Sequence, residues 1–564
     1  MSLSTAFVRP ALCCLLALAL PLQAQVSAQG AAPLPAPAAP AAVRLPALGE
    51  SAAEDFTVGT ERRLGDQIMG EIRRDPDYLD DPVLLEYLQS LWQPLVEAAR
   101  ARGDIDVDVS GQFAWEAFLV RDRSVNAFAL PGGFVGVHLG MIAMTASRDE
   151  LASVLAHELS HVTQRHIARS IASQQRQSLL GMAGLILALL AAGRSGNPDV
   201  AQAALVGGQA ALIQGQLNFS RDMEREADRI GFAVLDQAGY QPGGMAAMFE
   251  KLDNANRLND NGAFPYLRSH PLTLERQSEA RMRLQGLPPH ATKTVSPLLH
   301  ALMAARARVL VDTSVTALRR QQDLPALRPG HGAAERLAGL YSSALASSLL
   351  RDHAMAEQRN REARALLAET PGADAAVARS LWLLDAEGRL AAGDLDGAAK
   401  VLADARQRWP DAAQARPPLL MQAQAALQTR PPAREERLRQ STEALQTWVA
   451  EHPRDAYAWL LLGNTAEALG LRLRALRAQA ESRLLVGDLR GAMDRLRSGR
   501  QLARSGVSGQ DFIEASIIDA RLREMENQRR QLAAEQRGGR GGDKEPPADR
   551  DDAPPRLQQP LFGS

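Results

Sequence analysis

Cysteine is nearly missing from this 564-residue chain: there are two, Cys13 and Cys14, both close to the start. Both fall in an apolar run from Ala11 to Leu22 that follows Arg9. That pattern reads as an export signal, with small-residue cleavage sites at Ala24 or Ala28. The Leu-small-small lead-in of a lipoprotein signal is absent. Once residues 1–28 are removed no thiol remains, which excludes disulfides and thiolate metal sites. Stability must then come from packing, and any metal site must use histidine and carboxylate. Aromatics are scarce at 4%, while Ala, Leu and Arg are abundant, which points to helix rather than sheet. The net charge of −1 gives no reason to expect nucleic acid as a partner. Long apolar runs are missing too. The leader is too short to span a bilayer, and so is "LLGMAGLILALLAAG" at 179–193, 15 residues without a charge. That second stretch suits a buried hairpin, or a helix resting on a membrane or plugging a cleft.

What is present divides into parts. Residues 29–50 form a Pro/Ala tether, and 51–290 are mainly helical with one exception. "WEAFLVRDRSVNAFALPGGFVGVHLGMI" (115–142) alternates in polarity and breaks at Pro131-Gly132-Gly133, which predicts two or three strands around a turn. An amphipathic helix follows, with Ser147 and Glu150 placed as a capping box. Residues 300–530 are nearly all helix. There "RLAAGDLDGAAKVL" (389–402) is echoed by "RLLVGDLRGAMDRL" (483–496), and "WLLLG" (459–463) precedes the second copy. These are pieces of the tetratricopeptide pattern, with plain helical hairpins as the alternative. Residues 531–564 have the composition of a disordered tail. The fold class expected is α+β, mainly helical: a domain with a small sheet, then an all-α tetratricopeptide-like solenoid.

The chemistry lies in "LAHELSHVTQRH" (155–166). On a helix His157 and His161 are one turn plus about 40° apart, so both rings can reach one ion. Glu158 sits about 100° round from His157, placed to take a proton from water rather than to ligate. A third ligand is needed. His166 would stand about 140° from His161 on a continuous helix, which makes it a poor candidate. In "FSRDMEREADRIGFAVLDQAGY" (219–240), Glu224 and Asp228 share a face. Glu224 can ligate and Asp228 can accept a hydrogen bond from the outer nitrogen of a ligand histidine. Glu226 points about 200° away from Glu224. The alternative for this segment is a solvated acidic face, which Arg221, Arg225 and Arg229 would also suit.

HELSH, then SRDMEREAD, then "RSHP" (268–271), with "NAFALPGGFVGVHLGMI" upstream, resemble the M48 family of zinc metalloproteases. The resemblance covers most of residues 55–290 and extends, more weakly, through the repeats. It implies a zincin-like domain with one Zn2+ held by His157, His161 and Glu224. It also implies Glu158 as general base and Asp228 as the partner behind a ligand. His270 matches a mobile histidine that caps the metal at rest or helps hold the oxyanion. Arg276 matches an arginine near the site, grouped with Glu158 and His270 as catalytic. A chain ending near Pro288 would keep every one of these ligands.

The combination of leader, protease and repeats is similar to that of envelope quality-control members of the family. It implies a periplasmic location, possible membrane contact through 179–193, and unfolded or misassembled outer-membrane proteins as substrates. Partners in outer-membrane assembly would dock on the repeats. The strands, through Asn126, Ala127, Phe128, Gly133 and Val135, would present an edge to extended substrate. Alternatives are a scaffold or chaperone with a mostly closed metal site, and a general periplasmic protease.

Overall fold

The computed structural model describes residues 56–173, 221–258, 264–286, 297–324, 332–371, 374–412, 415–505 and 511–538. The leader, the Pro/Ala tether, the 179–193 stretch and the chain beyond 538 lie outside the described residues.

The first part opens with α1 (Val58–Ile72), β1 (Tyr78–Leu79), α2 (Pro82–Arg102) and the single turn α3 (Val107–Ser110). Strands β2 (Glu116–Val120), β3 (Ala127–Leu130) and β4 (Phe134–His138) follow, where strands were expected. Then come helices α4 (Leu139–Met144), α5 (Arg148–Thr163), α6 (His166–Ser173), α7 (Arg221–Gln237), α8 (Gly243–Leu258), α9 (Pro265–Ser269) and α10 (Leu274–Gln285). The sheet order is β1-β2-β4-β3, with β2 parallel to β4 and β3 antiparallel to it. Alternation sorts the two faces. Phe118, Val120, Leu130 and Phe134 pack on Leu64, Ile68 and Ile72 of α1. Ala117, Leu119, Ala127, Val135 and Val137 point into the core shared with α2 and α5. Gly133, at φ 90°, makes the turn into β4, and a Cβ there would meet Phe113 Cβ at 2.8 Å.

Ser147 starts α5 as expected, accepting the Glu150 N–H at 3.2 Å. The reciprocal bond falls one residue early: Glu150 Oε2 accepts from the Ala146 N–H at 2.7 Å. The expected amphipathic character is absent, since every residue from Glu150 to Val162 is buried. The helix is sandwiched between the sheet and helices α2, α7 and α8, so no face of it meets water. Gly231 of α7 crosses α5 at Ala156–His157, where a Cβ would lie 3.1 Å from Ala156 backbone atoms. This close crossing brings the acidic helix within reach of the histidines.

The second part is a run of helices, each packed on its neighbour in the chain. They are α11 (Leu298–Leu310), α12 (Val315–Gln322), α13 (Ala333–Leu349), α14 (His353–Ala368), α15 (Ala375–Ala392) and α16 (Leu395–Arg408). After a 3-10 turn come α17 (Arg416–Gln428), α18 (Arg434–Glu451), α19 (Ala456–Ala468), α20 (Arg472–Leu485), α21 (Leu489–Arg504) and α22 (Asp511–Gly538). The last helix runs past residue 530, where composition had suggested the tail begins. The two echoed segments fold alike. Gly393 and Gly487 take φ of 76° and 79°, and Asp394 and Asp488 then cap the next helix. Arg389 and Arg483 tie those caps down at 2.7 and 2.6 Å. The repeated R-x3-G-D-x2-G spacing is therefore one turn used twice.

The two parts share a core. One cluster of buried apolar side chains runs from Leu79 through Val377 to Ala425. His300 of α11 sits between the Tyr87 hydroxyl (2.6 Å) and the Thr145 carbonyl (3.0 Å). Arg306 of α11 makes two-pronged contacts with Asp81 at the start of α2 and with Glu387 of α15. Arg416 likewise joins Asp80 to Asp455. Among the described residues no helix is long and apolar enough to cross a membrane.

Candidate metal centre

Four side chains from three segments converge. His157 and His161 come from α5, Glu224 from the first turn of α7, and His270 from the end of α9. One potential ligand atom from each lies within 4.8 Å of all the others, and all four residues are buried. His157 Nε2 and His161 Nε2 are 3.0 Å apart, and each is 3.5 Å from a Glu224 oxygen. His270 Nδ1 lies 3.0 Å from Glu224 Oε1 and 3.3 Å from His157 Nε2.

The outer nitrogens show what belongs in the middle. His157 Nδ1 is 2.9 Å from Asp228 Oδ1, and His161 Nδ1 is 2.8 Å from His166 Nδ1. A neutral imidazole carries one N–H. With those protons directed outward, two Nε2 lone pairs face each other beside a carboxylate. Either a proton shared by the two rings or a metal cation completes that arrangement, and two histidines with a carboxylate are a common donor set for catalytic zinc. The electrostatics agree. Burial alone would lower His157, but Asp228 and Glu224 outweigh it and raise it to about 10. Burial and the neighbouring His157 charge push His161 well down. The pair thus accommodates one positive charge at the point where an ion fits.

Glu158 is fully buried, and burial raises its carboxyl above the usual range. Neither of its oxygens meets full hydrogen-bond geometry with a described residue, although the neighbouring Tyr266 hydroxyl and the His270 ring, with Nε2 3.5 Å from Oε1, partly offset the burial. Arg276 lies behind the cluster. It grips Asp228 at 2.6 and 2.8 Å, Glu224 at 2.9 Å and the Pro271 carbonyl at 2.9 Å. Arg276, grouped by the resemblance with Glu158 and His270, thus touches Asp228 and Glu224 directly.

Only part of the expected substrate edge lies at an edge of the described sheet. Asn126, Ala127 and Phe128 lie at or beside β3, an edge of the sheet. Val135 does not: β4 is interior, and Val135 pairs with Ala117 on one side and Ala129 on the other. Gly133 precedes β4, and its carbonyl already accepts the Glu116 N–H at 3.0 Å. The motif quoted from sequence spans both strands of a hairpin, and among the described residues only its first strand has an unpaired side. His138 N–H bonds to the Asn126 carbonyl, so the antiparallel alternation turns the Ala127 and Ala129 backbone groups outward.

Two neighbours escaped the sequence reading. Tyr266 is buried with its ring 4.7 Å from that of His270, and burial and the Glu158 charge raise its hydroxyl far above the usual value. Its signal would have been its place four residues before His270. His166 was set aside as off the ligand face, yet it contacts a ligand candidate directly. On a continuous helix it would point away, but α5 ends at Thr163 with Gln164 as its cap.

The chain belongs to peptidase family M48, whose model matches residues 86–284, and it is a zinc metalloendopeptidase. It is similar to the beta-barrel assembly-enhancing protease of Yersinia pestis, 32% identical over 492 residues that cover 86% of this chain and 92% of that protein. The protease of the same name from Escherichia coli K12 is 30% identical over 484 residues, 85% of this chain and 91% of its own length. A Vibrio cholerae relative named for the same activity is 38% identical over 280 residues, 49% of this chain and 54% of that protein.

Proposed function

We propose that His157, His161 and Glu224 hold the zinc and that Glu158 is the general base. We propose further that the enzyme works in the periplasm on unfolded or misassembled outer-membrane β-barrel proteins. The observation that carries the chemical part is the convergence of His157, His161 and Glu224, with Asp228 2.9 Å behind His157, His166 2.8 Å behind His161 and the buried Glu158 alongside. The cellular part rests on relatives named as barrel-assembly proteases over most of both chains, and on the leader read at residues 1–28.

Zinc bound there supplies a Lewis acid that lowers the pKa of water and polarises the scissile carbonyl. The remaining steps belong to the chain. Glu158, desolvated by burial, takes a proton from the attacking water and delivers it to the departing amine nitrogen. Asp228 holds His157 in the tautomer that presents Nε2 to the metal, and Arg276 keeps Asp228 and Glu224 in place. The outward backbone groups of Ala127 and Ala129 can pair with an extended substrate. Such pairing reads little side-chain detail and suits unfolded clients. The repeats, read as tetratricopeptide-like, would recruit assembly partners.

One observation favours a second reading, a scaffold or chaperone with a restrained site: His270 fills the space between Glu224 and Glu158, and Glu158 is 0% exposed. Cleavage of unfolded substrate by the parent, absent in the scaffold reading, separates the two, and one variant tests the chemistry. Glu158→Gln should retain zinc and lose cleavage of unfolded casein and of an unfolded barrel protein by at least about a hundredfold. Unchanged cleavage would remove Glu158 from the mechanism, and lost zinc would make it a ligand.

A further inference from the structure

Helix α5 ends at a left-handed residue that is not glycine. Arg165 has φ 50°, a conformation that costs a non-glycine residue free energy and needs support from its surroundings. The support is visible: Arg165 Nε bonds Glu61 Oε2 at 2.9 Å, and Nη2 donates to the Phe56 carbonyl at 2.6 Å. The consequence is a restart of the helix at His166 in a new direction. A continuous helix would have carried His166 about 140° from His161. The break instead sets the two Nδ1 atoms 2.8 Å apart, with His166 buried at 0% exposure. On its other side His166 Nε2 lies 3.0 Å from Glu226 Oε2, and Arg169 bonds the same oxygen at 2.8 Å.

Proton arithmetic fixes the direction of this chain of bonds. A carboxylate paired with Arg169 can only accept, so the His166 proton is on Nε2. A neutral His166 then has a bare Nδ1, and the proton between the two rings belongs to His161 Nδ1. That leaves His161 Nε2 as a lone pair aimed at the centre.

We infer that His166, backed by Glu226 and Arg169, is the positioning residue that fixes the tautomer and orientation of His161 for metal binding, the counterpart of Asp228 behind His157. The inference rests on His161 being a ligand, as proposed above. The two flanks differ in kind, since His157 leans on a carboxylate directly and His161 reaches one only through a second imidazole. Glu226, which looked remote from the metal on the helical wheel, becomes the far end of the support.

The test uses the full chain and zinc affinity measured by competition with a chromophoric chelator. His166→Asn places an amide oxygen near the position of Nδ1, whereas His166→Gln places its amide near Nε2. His166→Phe keeps the bulk and removes the acceptor. Loss of such a partner lowers metal affinity roughly 10–100-fold. His166→Phe and His166→Gln should show that loss, and His166→Asn should bind at least several-fold more tightly than either. Glu226→Ala should fall between parent and Phe. His161→Ala serves as the separate arm. If it keeps zinc, the ligand assignment itself fails. If it loses zinc while all three His166 variants bind as the parent does, the support role is wrong and the ligand stands. Equal losses in the Asn, Gln and Phe variants would also overturn the inference, because a merely structural role does not discriminate between amide positions.

Discussion

Arg306 and Glu158 are about equally buried, at 1% and 0% exposure, yet one is saturated with partners and the other is not. Arg306 meets both oxygens of Asp81, both of Glu387 and the Tyr341 hydroxyl. Asp81 also caps α2 by accepting the Leu84 N–H at 2.8 Å. Every charge at this junction has its complement inside the protein. At the metal centre the partners are fewer: two Nε2 atoms converge beside Glu224, and among the described residues neither Glu158 oxygen meets full hydrogen-bond geometry. A buried polar group left without a partner costs about 1–3 kcal/mol, more when charged. At the metal centre such deficits fall on neighbouring groups, Glu158, Glu224 and His157, where an ion or a substrate can complete them.

The largest effect that can break this comparison is removal of the junction altogether. The sequence reading expected a chain ending near residue 288 to bind zinc, because every candidate ligand precedes that point. The shared core changes the expectation. Such a chain loses α11, with His300 between Tyr87 and Thr145, and leaves Asp81 without Arg306. It should lose cooperative unfolding and stoichiometric zinc. A sharp thermal transition with one zinc per chain would mean the metalloprotease part carries its own core after all.

A smaller cut sharpens the same point. Arg306→Ala strands two buried carboxylates and should lower stability by about 3–5 kcal/mol. Replacing Arg306 and Glu387 with leucine, and Asp81 with serine to keep the cap, should recover most of that. Denaturant unfolding of the two variants measures the difference. If the apolar replacement is as unstable as Arg306→Ala, the junction depends on its charges in a way that saturation alone does not explain.

The contrast also explains what could be read in advance. His157, Glu158 and His161 are legible because helical periodicity places them from four consecutive spacings. Glu224 and Asp228 follow by the same geometry, and the strands follow from alternation. Arg306 and Arg416 are not legible, because an arginine on a helix looks alike whether it meets water or a partner 225 residues away. The burial of α5 on all sides was hidden for a similar reason: its surroundings come from segments before and after it in the chain. His166 failed on one local event, a left-handed arginine held by Glu61, which no wheel anticipates. The edge strand was half legible. The hairpin was visible, but which of its strands stays unpaired depended on β2 joining β4 in parallel across residues 121–133.

The finest test lies within the metal centre and concerns whether His270 belongs to the deficit or to its cure. Its Nδ1 stands 3.0 Å from Glu224 and 3.3 Å from His157 Nε2, where a fourth ligand would stand. Catalytic zinc sites keep that fourth position for water or substrate, so a histidine that ligated there would hold the enzyme latent. Its Nε2 lies 3.5 Å from Glu158, so the same ring crowds the base. Replacing it with alanine opens the fourth position and frees the carboxylate. It also removes a group that could stabilise the oxyanion, and loss of one such donor costs roughly a hundredfold in turnover. The two roles therefore predict opposite signs from one substitution. Given the resting geometry, His270→Ala should raise cleavage of unfolded casein several-fold over the parent at matched zinc occupancy. A fall toward a hundredfold would assign His270 to the transition state and leave the latent state without its cap.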